Sequence, residues 1–196
     1  MAKLLYQGHG SLRAVTDGGV VLYLDPFAGE GYDLPADVIL VTHQHGDHNQ
    51  LQLPAKKPDC IIWQNSDALS GGEYQTADLH GIHVEAVQAY NKNHPKSECV
   101  GFLVTLDGKL VYFAGDTSRT EQMETFAQRH IDYAILPMDG IYNMDIAEAS
   151  ACARLIAAKH SIPTHMAPGR LFDRAAAERF DGPGRRFLEP GEEITL

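Results

Sequence analysis

Short apolar runs separated by turn residues recur along the chain and set its character. Residues 20–24, 38–42, 60–63, 84–87, 101–106 and 110–114 are rich in Val, Ile, Leu and Tyr, and runs of this length predict strands. The Asp107-Gly108 step between the last two predicts a hairpin, because a type I′ turn needs positive φ at both central residues. From Asp145 the period lengthens. Ile146, Ala149, Ala153 and Ile156 share one helical face, and Glu148 lies three places after Asp145 as a capping-box partner, which together predict a helix of about 15 residues. Ser161-Ile162-Pro163-Thr164-His165 then reads as a short strand that Pro163 either confines to a sheet edge or brings to an early end. A second helix is expected over 173–180 and a closing strand over 192–196. Strands first, then helix and strand in alternation, predict a mixed α/β class.

The 196 residues contain no repeat, low-complexity tract or linker-like stretch, so one domain spanning 1–196 is expected. A domain of this size needs no metal to fold, and any metal held would serve function. With 16 Lys and Arg against 26 Asp and Glu the net charge is −10, which weighs against nucleic acid or an anionic membrane as partner. No window nears the ~18 apolar residues of a membrane helix, and the first apolar stretch is too short for a signal sequence. Cys60, Cys99 and Cys152 form no CxxC pair. That spacing suits a reducing compartment, and a cytoplasmic location is expected.

Chemistry concentrates in Thr42-His43-Gln44-His45-Gly46-Asp47-His48, directly after an apolar strand. Zn²⁺ takes imidazole nitrogen and carboxylate oxygen. Alternate residues of a strand share a face, so His43 and His45 aim at one point, while Asp47 and His48 lie past the turn and approach from another direction. Two ions need more than four ligands. Asp116 follows the strand ending at Ala114, with Gly115 allowing a sharp turn; His165 closes the Ser161 to His165 strand; His94 sits in the polar loop Tyr90-Asn91-Lys92-Asn93-His94-Pro95-Lys96. Asp25 is expected to back a metal-bound imidazole or to shape the Asp25-Pro26 turn. His9 is expected to line the pocket, to donate a proton or simply to turn the chain, and Tyr90, Asn91, Tyr142 and Arg170 are candidate substrate contacts.

The segments from Thr42 to His48, Gly115-Asp116-Thr117 and Ile162-Pro163-Thr164-His165 resemble the metallo-β-lactamase superfamily. Ala89-Tyr90-Asn91 followed by His94-Pro95-Lys96 resembles its small bacterial branch of lactonase-like hydrolases. Gly8-His9, Leu24-Asp25-Pro26 and Leu136-Pro137-Met138 are similar to that branch too. The resemblance implies an αββα sandwich, two mixed β-sheets flanked by helices. It also implies a binuclear centre in which His43, His45 and His94 hold one ion, Asp47, His48 and His165 the other, and Asp116 bridges them. Asp139, Ser97 and Met166 depart from the branch, and none of the three is expected to touch a ligand.

Two divalent ions, best Zn²⁺ with Mn²⁺ or Fe²⁺ as alternatives, would share a water that deprotonates near neutral pH, with Asp47 orienting it. The expected activity is hydrolysis of a small-molecule ester, lactone or phosphoester. Three other readings compete with it: a non-catalytic metal-binding or sensing protein, a nucleic-acid phosphodiesterase, and a di-iron oxidoreductase. Di-iron members of this fold resemble HxExD where His45 stands here and carry a flavin domain, whereas nucleases of the fold add an exosite arm or inserted domain. Neither addition is present in this sequence, and no sequence feature sets an oligomeric state.

Overall fold

The computed structural model describes residues 1–196. Strands β1 (Lys3–Gly8), β2 (Ser11–Val15), β3 (Val21–Leu24), β4 (Ala36–Val41) and β5 (Lys56–Gln64) come first in the chain. After a one-turn helix, α1 (Asn65–Ala68), and a two-stranded ribbon of β6 (Leu69–Ser70) and β7 (Glu73–Tyr74), the second set follows: β8 (Thr76–Leu79), β9 (Ile82–Gln88), β10 (Val100–Leu106), β11 (Lys109–Phe113), β12 (Tyr133–Pro137) and β13 (His160–Thr164). A 3₁₀ segment, Glu121–Arg129, precedes β12. Helix α2 (Ile146–Ile156) links β12 to β13, and α3 (Arg174–Arg179) and β14 (Glu193–Thr195) complete the chain. The sheets run β14-β1-β2-β3-β4-β5 and β13-β12-β11-β10-β9-β8. Both are mixed, antiparallel at β1-β2-β3 and β9-β10-β11 and parallel at β3-β4-β5 and β11-β12-β13.

Strand alternation builds the sandwich. Val38 and Leu40 of β4 join Phe102 and Val104 of β10 and Val111 and Phe113 of β11 in the core between the sheets. Their neighbours turn outward. Leu103, Tyr112, Ala134 and Leu136 pack under Met123 and Phe126 of the 3₁₀ segment and Ala149, Cys152 and Ile156 of α2. On the far face of the first sheet, Tyr23, Ile39 and Val41 are covered by Tyr32, Leu34 and Leu51, so loops provide most of the cover there.

All six apolar runs coincide with strands, and Asp107 and Gly108 take φ of 48° and 79° in the β10–β11 hairpin. β13 is an edge strand, as Pro163 requires. α2 is shorter than expected, 11 residues: its N-cap is Asp145, which accepts from the Glu148 amide at 2.8 Å, but Ala157 adopts φ 54° and ends it. Lys159 N–H then bonds to Ile131 O, drawing the chain into β13. No helix is long and apolar enough to cross a membrane.

Candidate metal centre

Strand direction places the site. Because β2 is antiparallel to both β1 and β3, and β10 to both β9 and β11, strands β1, β3 and β4 share one direction in the first sheet, and β9, β11, β12 and β13 share one in the second. The residues just past their C-terminal ends are His9, Asp25, the Thr42 to His48 turn, the 90–94 loop, Asp116, Asp139 and His165. Three of these are non-glycine residues in the left-handed region, His9 (φ 57°), Asp25 (44°) and His165 (44°), a conformation that costs energy unless the surroundings enforce it. Gly115 is needed for close approach: at φ 62°, a Cβ there would lie 2.9 Å from Val100 O and 3.0 Å from Thr42 Cβ. Its absence lets Asp116 close against the Thr42 turn.

Residues distant in sequence meet here. His43, His45 and His94 bring one ligand atom each within 4.8 Å of one another, and so do His9, Asp47, His48 and His165, and His43, His48 and Asp116. Asp116 lies between the groups: Oδ1 is 3.4 Å from His48 Nε2, and Oδ2 is 3.4 Å from His94 Nε2 and 3.3 Å from His165 Nε2. His9 belongs to this cluster rather than to a pocket wall. Its Nε2 is 3.0 Å from Asp47 Oδ2, its Nδ1 is 3.1 Å from the Arg170 carbonyl, and its ring centroid is 3.7 Å from that of His165.

Behind the cluster each buried imidazole has a partner that fixes its orientation, the usual support of a metal-binding ring. The Asp25 carboxylate accepts from the Thr42 amide (2.8 Å) and hydroxyl (2.6 Å) and lies 2.8 Å from His48 Nδ1. Thr42 Oγ1 is 3.0 Å from His43 Nδ1, and Asn91 Oδ1 is 2.9 Å from His94 Nδ1. Asp139 Oδ2 is 2.9 Å from His165 Nδ1, off the ring N–H axis, so this pair is a close charge contact rather than an aligned hydrogen bond.

Charge is balanced within the cluster. Burial, reinforced by His48, pushes the His43 imidazole down to about 2, and burial also lowers His94. At His48 burial is outweighed by Asp116 and Asp25, which hold it well above the usual histidine value. At His165 burial is outweighed by Asp116, Asp139 and Asp47, which raise it to about 9. Burial would raise Asp116, but His48 and His165 hold it well below the carboxylate range. Asp47 is lowered in the same way, its contacts with His165 and His9 overcoming burial.

The donor set fits divalent cations. His43 Nε2 and His48 Nε2 are enclosed and make no hydrogen bond, which costs roughly 1–3 kcal/mol per group unless something else engages them. The His43 Nε2 lone pair, joined by that of His48 once its proton is displaced, is aimed at a carboxylate-lined space and suits Zn²⁺ or a similar ion.

The cluster floors an open cleft of about 360 Å³, with Asn93 and Tyr142 from one side of the chain's loops and Pro168 and Gly169 from another completing it. No Lys or Arg lines it. Of the candidate substrate contacts, Tyr142 lines the cleft and is half exposed, whereas the others lie elsewhere. Asn91 backs His94; Tyr90 carries Lys96 Nζ over its ring at 5.1 Å in a neighbouring groove; Arg170 offers its carbonyl to His9 while its side chain points to Asp173. Met166 is buried beside the α2 core. Asp139 reverses the expectation that it touches no ligand candidate. Long-range contacts of this kind leave no local motif, and the departure of Asp139 from the family pattern was the one signal for it in the sequence.

Residues 3–165 match the family model described as β-lactamase superfamily domain. A UPF0173 metal-dependent hydrolase of Geobacillus sp. (strain WCH70) is 31% identical, covering 99% of this chain and 100% of the relative. Among solved structures, a putative metal-dependent hydrolase from Parabacteroides distasonis superposes with a TM-score of 0.76 at 29% identity over 93% of this chain and 90% of that one. Igni18, a metallo hydrolase from Ignicoccus hospitalis, superposes with a TM-score of 0.75 at 24% identity over 100% and 98%, a likeness of fold. With its sandwich, its strand-end His and Asp cluster and these matches, the chain belongs to the metallo-β-lactamase superfamily, among relatives named metal-dependent hydrolases.

Proposed function

We propose that this protein, as one catalytic domain spanning 1–196, is a binuclear metal-dependent hydrolase of a small ester, lactone or phosphoester. The observation that carries the reading is the set of enclosed, unpartnered nitrogens, His43 Nε2, His48 Nε2 and His165 Nε2, facing the buried Asp116 carboxylate. His43, His45 and His94 would hold one ion, Asp47, His48 and His165 the other, and Asp116 both. When bound, such ions supply a Lewis acid for developing oxyanion charge and water that is acidic enough to ionise near pH 7. Zn²⁺ suits these ligands best, and Mn²⁺ or Fe²⁺ fits the same set.

The chain's own groups do the rest. Asp47 is the exposed carboxylate of the cluster, with 37% of its side chain accessible, and it accepts a hydrogen bond from water at the cleft floor to orient the attack. His9, with both ring nitrogens engaged, holds Asp47 in that position and is a positioning residue. Tyr142, Pro168 and Gly169 confine the substrate above. Without Lys or Arg in the lining, an anionic substrate would be matched by the bound ions alone, so the lining itself favours an uncharged ester or lactone over a phosphomonoester.

A metal-sensing protein of the same fold would keep the ligands but needs no accessible coordination position, and the open cleft over His45 and Asp47 favours catalysis. Metal analysis and an activity screen over lactones, esters and phosphodiesters with Zn²⁺, Mn²⁺ and Fe²⁺ test the proposal. About two ions per chain and chelator-sensitive turnover are expected. One ion per chain, or no turnover of any substrate class with two bound, would overturn it.

A further inference from the structure

Asp139 does more than shape its loop. Its side chain is fully enclosed. Oδ1 accepts from the amides of Ile141 and Tyr142, both at 2.7 Å, and of Asn143 at 3.3 Å, which is the part a loop-shaping Asp would play. Oδ2 engages different groups, accepting from Asn143 Nδ2 at 2.8 Å and facing His165 Nδ1 at 2.9 Å. The chain of contacts continues past Asn143. Asn143 Oδ1 accepts from Asn91 Nδ2 at 3.3 Å, and that amide also reaches Tyr142 O at 2.9 Å.

Asn91 completes the span. Its Oδ1 accepts from the amides of Asn93 (2.8 Å) and His94 (3.1 Å), which fixes which end of the side-chain amide is oxygen. That oxygen lies 2.9 Å from His94 Nδ1. An amide oxygen only accepts, so the ring donates there and His94 Nε2 is left as an acceptor facing Asp116. His165 and His94, which follow different strands, are therefore joined through three side chains that touch neither cleft nor substrate.

We propose that Asp139, Asn143 and Asn91 form a polar arch that positions His165 and His94 together, making the two metal positions interdependent. The inference rests on the two-ion reading. Asp139→Asn is a sharp probe, because one amide oxygen cannot replace two carboxylate oxygens with five contacts between them. Asn143→Ala is sharper still, since it removes the middle of the arch without touching either imidazole.

Co²⁺ titration against a competing chelator, followed by visible absorption, measures each step of binding on the purified full chain, and His94→Ala identifies which step belongs to its position. Removing a partner behind a metal ligand typically weakens binding about 10- to 100-fold. Asn143→Ala is expected to weaken both steps and alter both Co²⁺ spectra, and Asp139→Asn to weaken the His94 step as well as its own. Should Asp139→Asn fail to fold by circular dichroism, Asn143→Ala and Asn91→Ala carry the test. A purely structural loop role predicts lower thermal stability with wild-type affinities and spectra. Two ions in the wild type with one step alone affected, or neither, would overturn the arch and spare the two-ion reading. A single Co²⁺ in the wild type would remove both.

Discussion

His43 and His48 are backed by Thr42 and Asp25, residues at the ends of the adjacent parallel strands β4 and β3, whereas His94 and His165 are backed by Asn91 and Asp139 on loops after β9 and β12. On the first side, the two supports close the ends of neighbouring strands and grip each other directly: Thr42 hydrogen-bonds Asp25 through amide and hydroxyl together. On the second, the supports Asn91 and Asp139 meet only through a third loop side chain, Asn143. A strand-end corner is placed by the sheet itself. The loop corner is placed by polar contacts that exist only once the sheet has formed, and it is the part that can vary with substrate.

The largest expected effect falls on the strand side. Asp25→Ala leaves the Thr42 amide, the Thr42 hydroxyl and His48 Nδ1 without their buried acceptor. Breaking a buried charged network costs about 3–5 kcal/mol. Urea unfolding of the metal-free protein should show that loss, together with failure to retain metal. If Asp25→Ala were no more disruptive than Asn143→Ala, the proposed difference between rigid and loop-borne corners would be wrong.

Next comes Asp47→Ala, which leaves both corners standing but removes the cleft-floor carboxylate. Loss of the group that orients the attacking water lowers turnover by about 10²-fold. Turnover should fall by that order while folding stability stays close to wild type, and metal analysis should show the His43, His45 and His94 position still filled. Wild-type turnover in this variant would remove Asp47 from the chemistry.

The strand corner was legible in the sequence because its candidate ligands are local: the spacing from His43 to His48 after an apolar run is a motif within one turn of chain. Asp116 and His165 were legible as polar residues closing apolar strands. Asn91 was visible as polar, but a polar loop residue that backs a ligand and one that meets substrate have the same sequence appearance. Asp139 has no local cue to His165, which lies across a helix and a strand. The strands missed by pattern have physical reasons as well. In β2, Ser11–Val15, Arg13 interrupts the apolar run while its side chain reaches out to Asp33 and Glu193. In β12, Tyr133–Pro137, the run ends on Pro137, a residue that weakens a strand signal.

A smaller effect should appear in the pH dependence of the metal-free protein. His165 is raised to about 9 by its carboxylates, with His48 raised in the same direction. Between the unfolded histidine value of about 6.5 and 9, the folded state therefore holds protons that the unfolded state has released, and stability falls as pH rises. His43, neutral in both states above 6.5, adds no slope there. The melting temperature of chelated protein should decline from pH 7 to 9.5. Divalent ions displace these protons, so the loaded protein should show a flatter profile. Parallel profiles would mean that metal does not compete for His48 and His165.

Smallest of all, and most informative about where the loop corner ends, is Tyr142→Ala. The Tyr142 carbonyl accepts from Asn91 Nδ2 and Asn93 Nδ2, so the main chain of this residue belongs to the arch, while its half-exposed ring belongs to the cleft. Truncating the ring leaves every one of those main-chain contacts available. Partial loss of one aromatic contact surface is worth about 1 kcal/mol, so KM should rise roughly five-fold with kcat little changed, the mark of lost ground-state binding. Metal affinity should stay at the wild-type level. A fall in Co²⁺ affinity with Tyr142→Ala would show that the ring itself holds the loop in place, so that substrate wall and ligand support are one mechanical unit on this side of the cluster, with no counterpart on the side of Asp25 and Thr42.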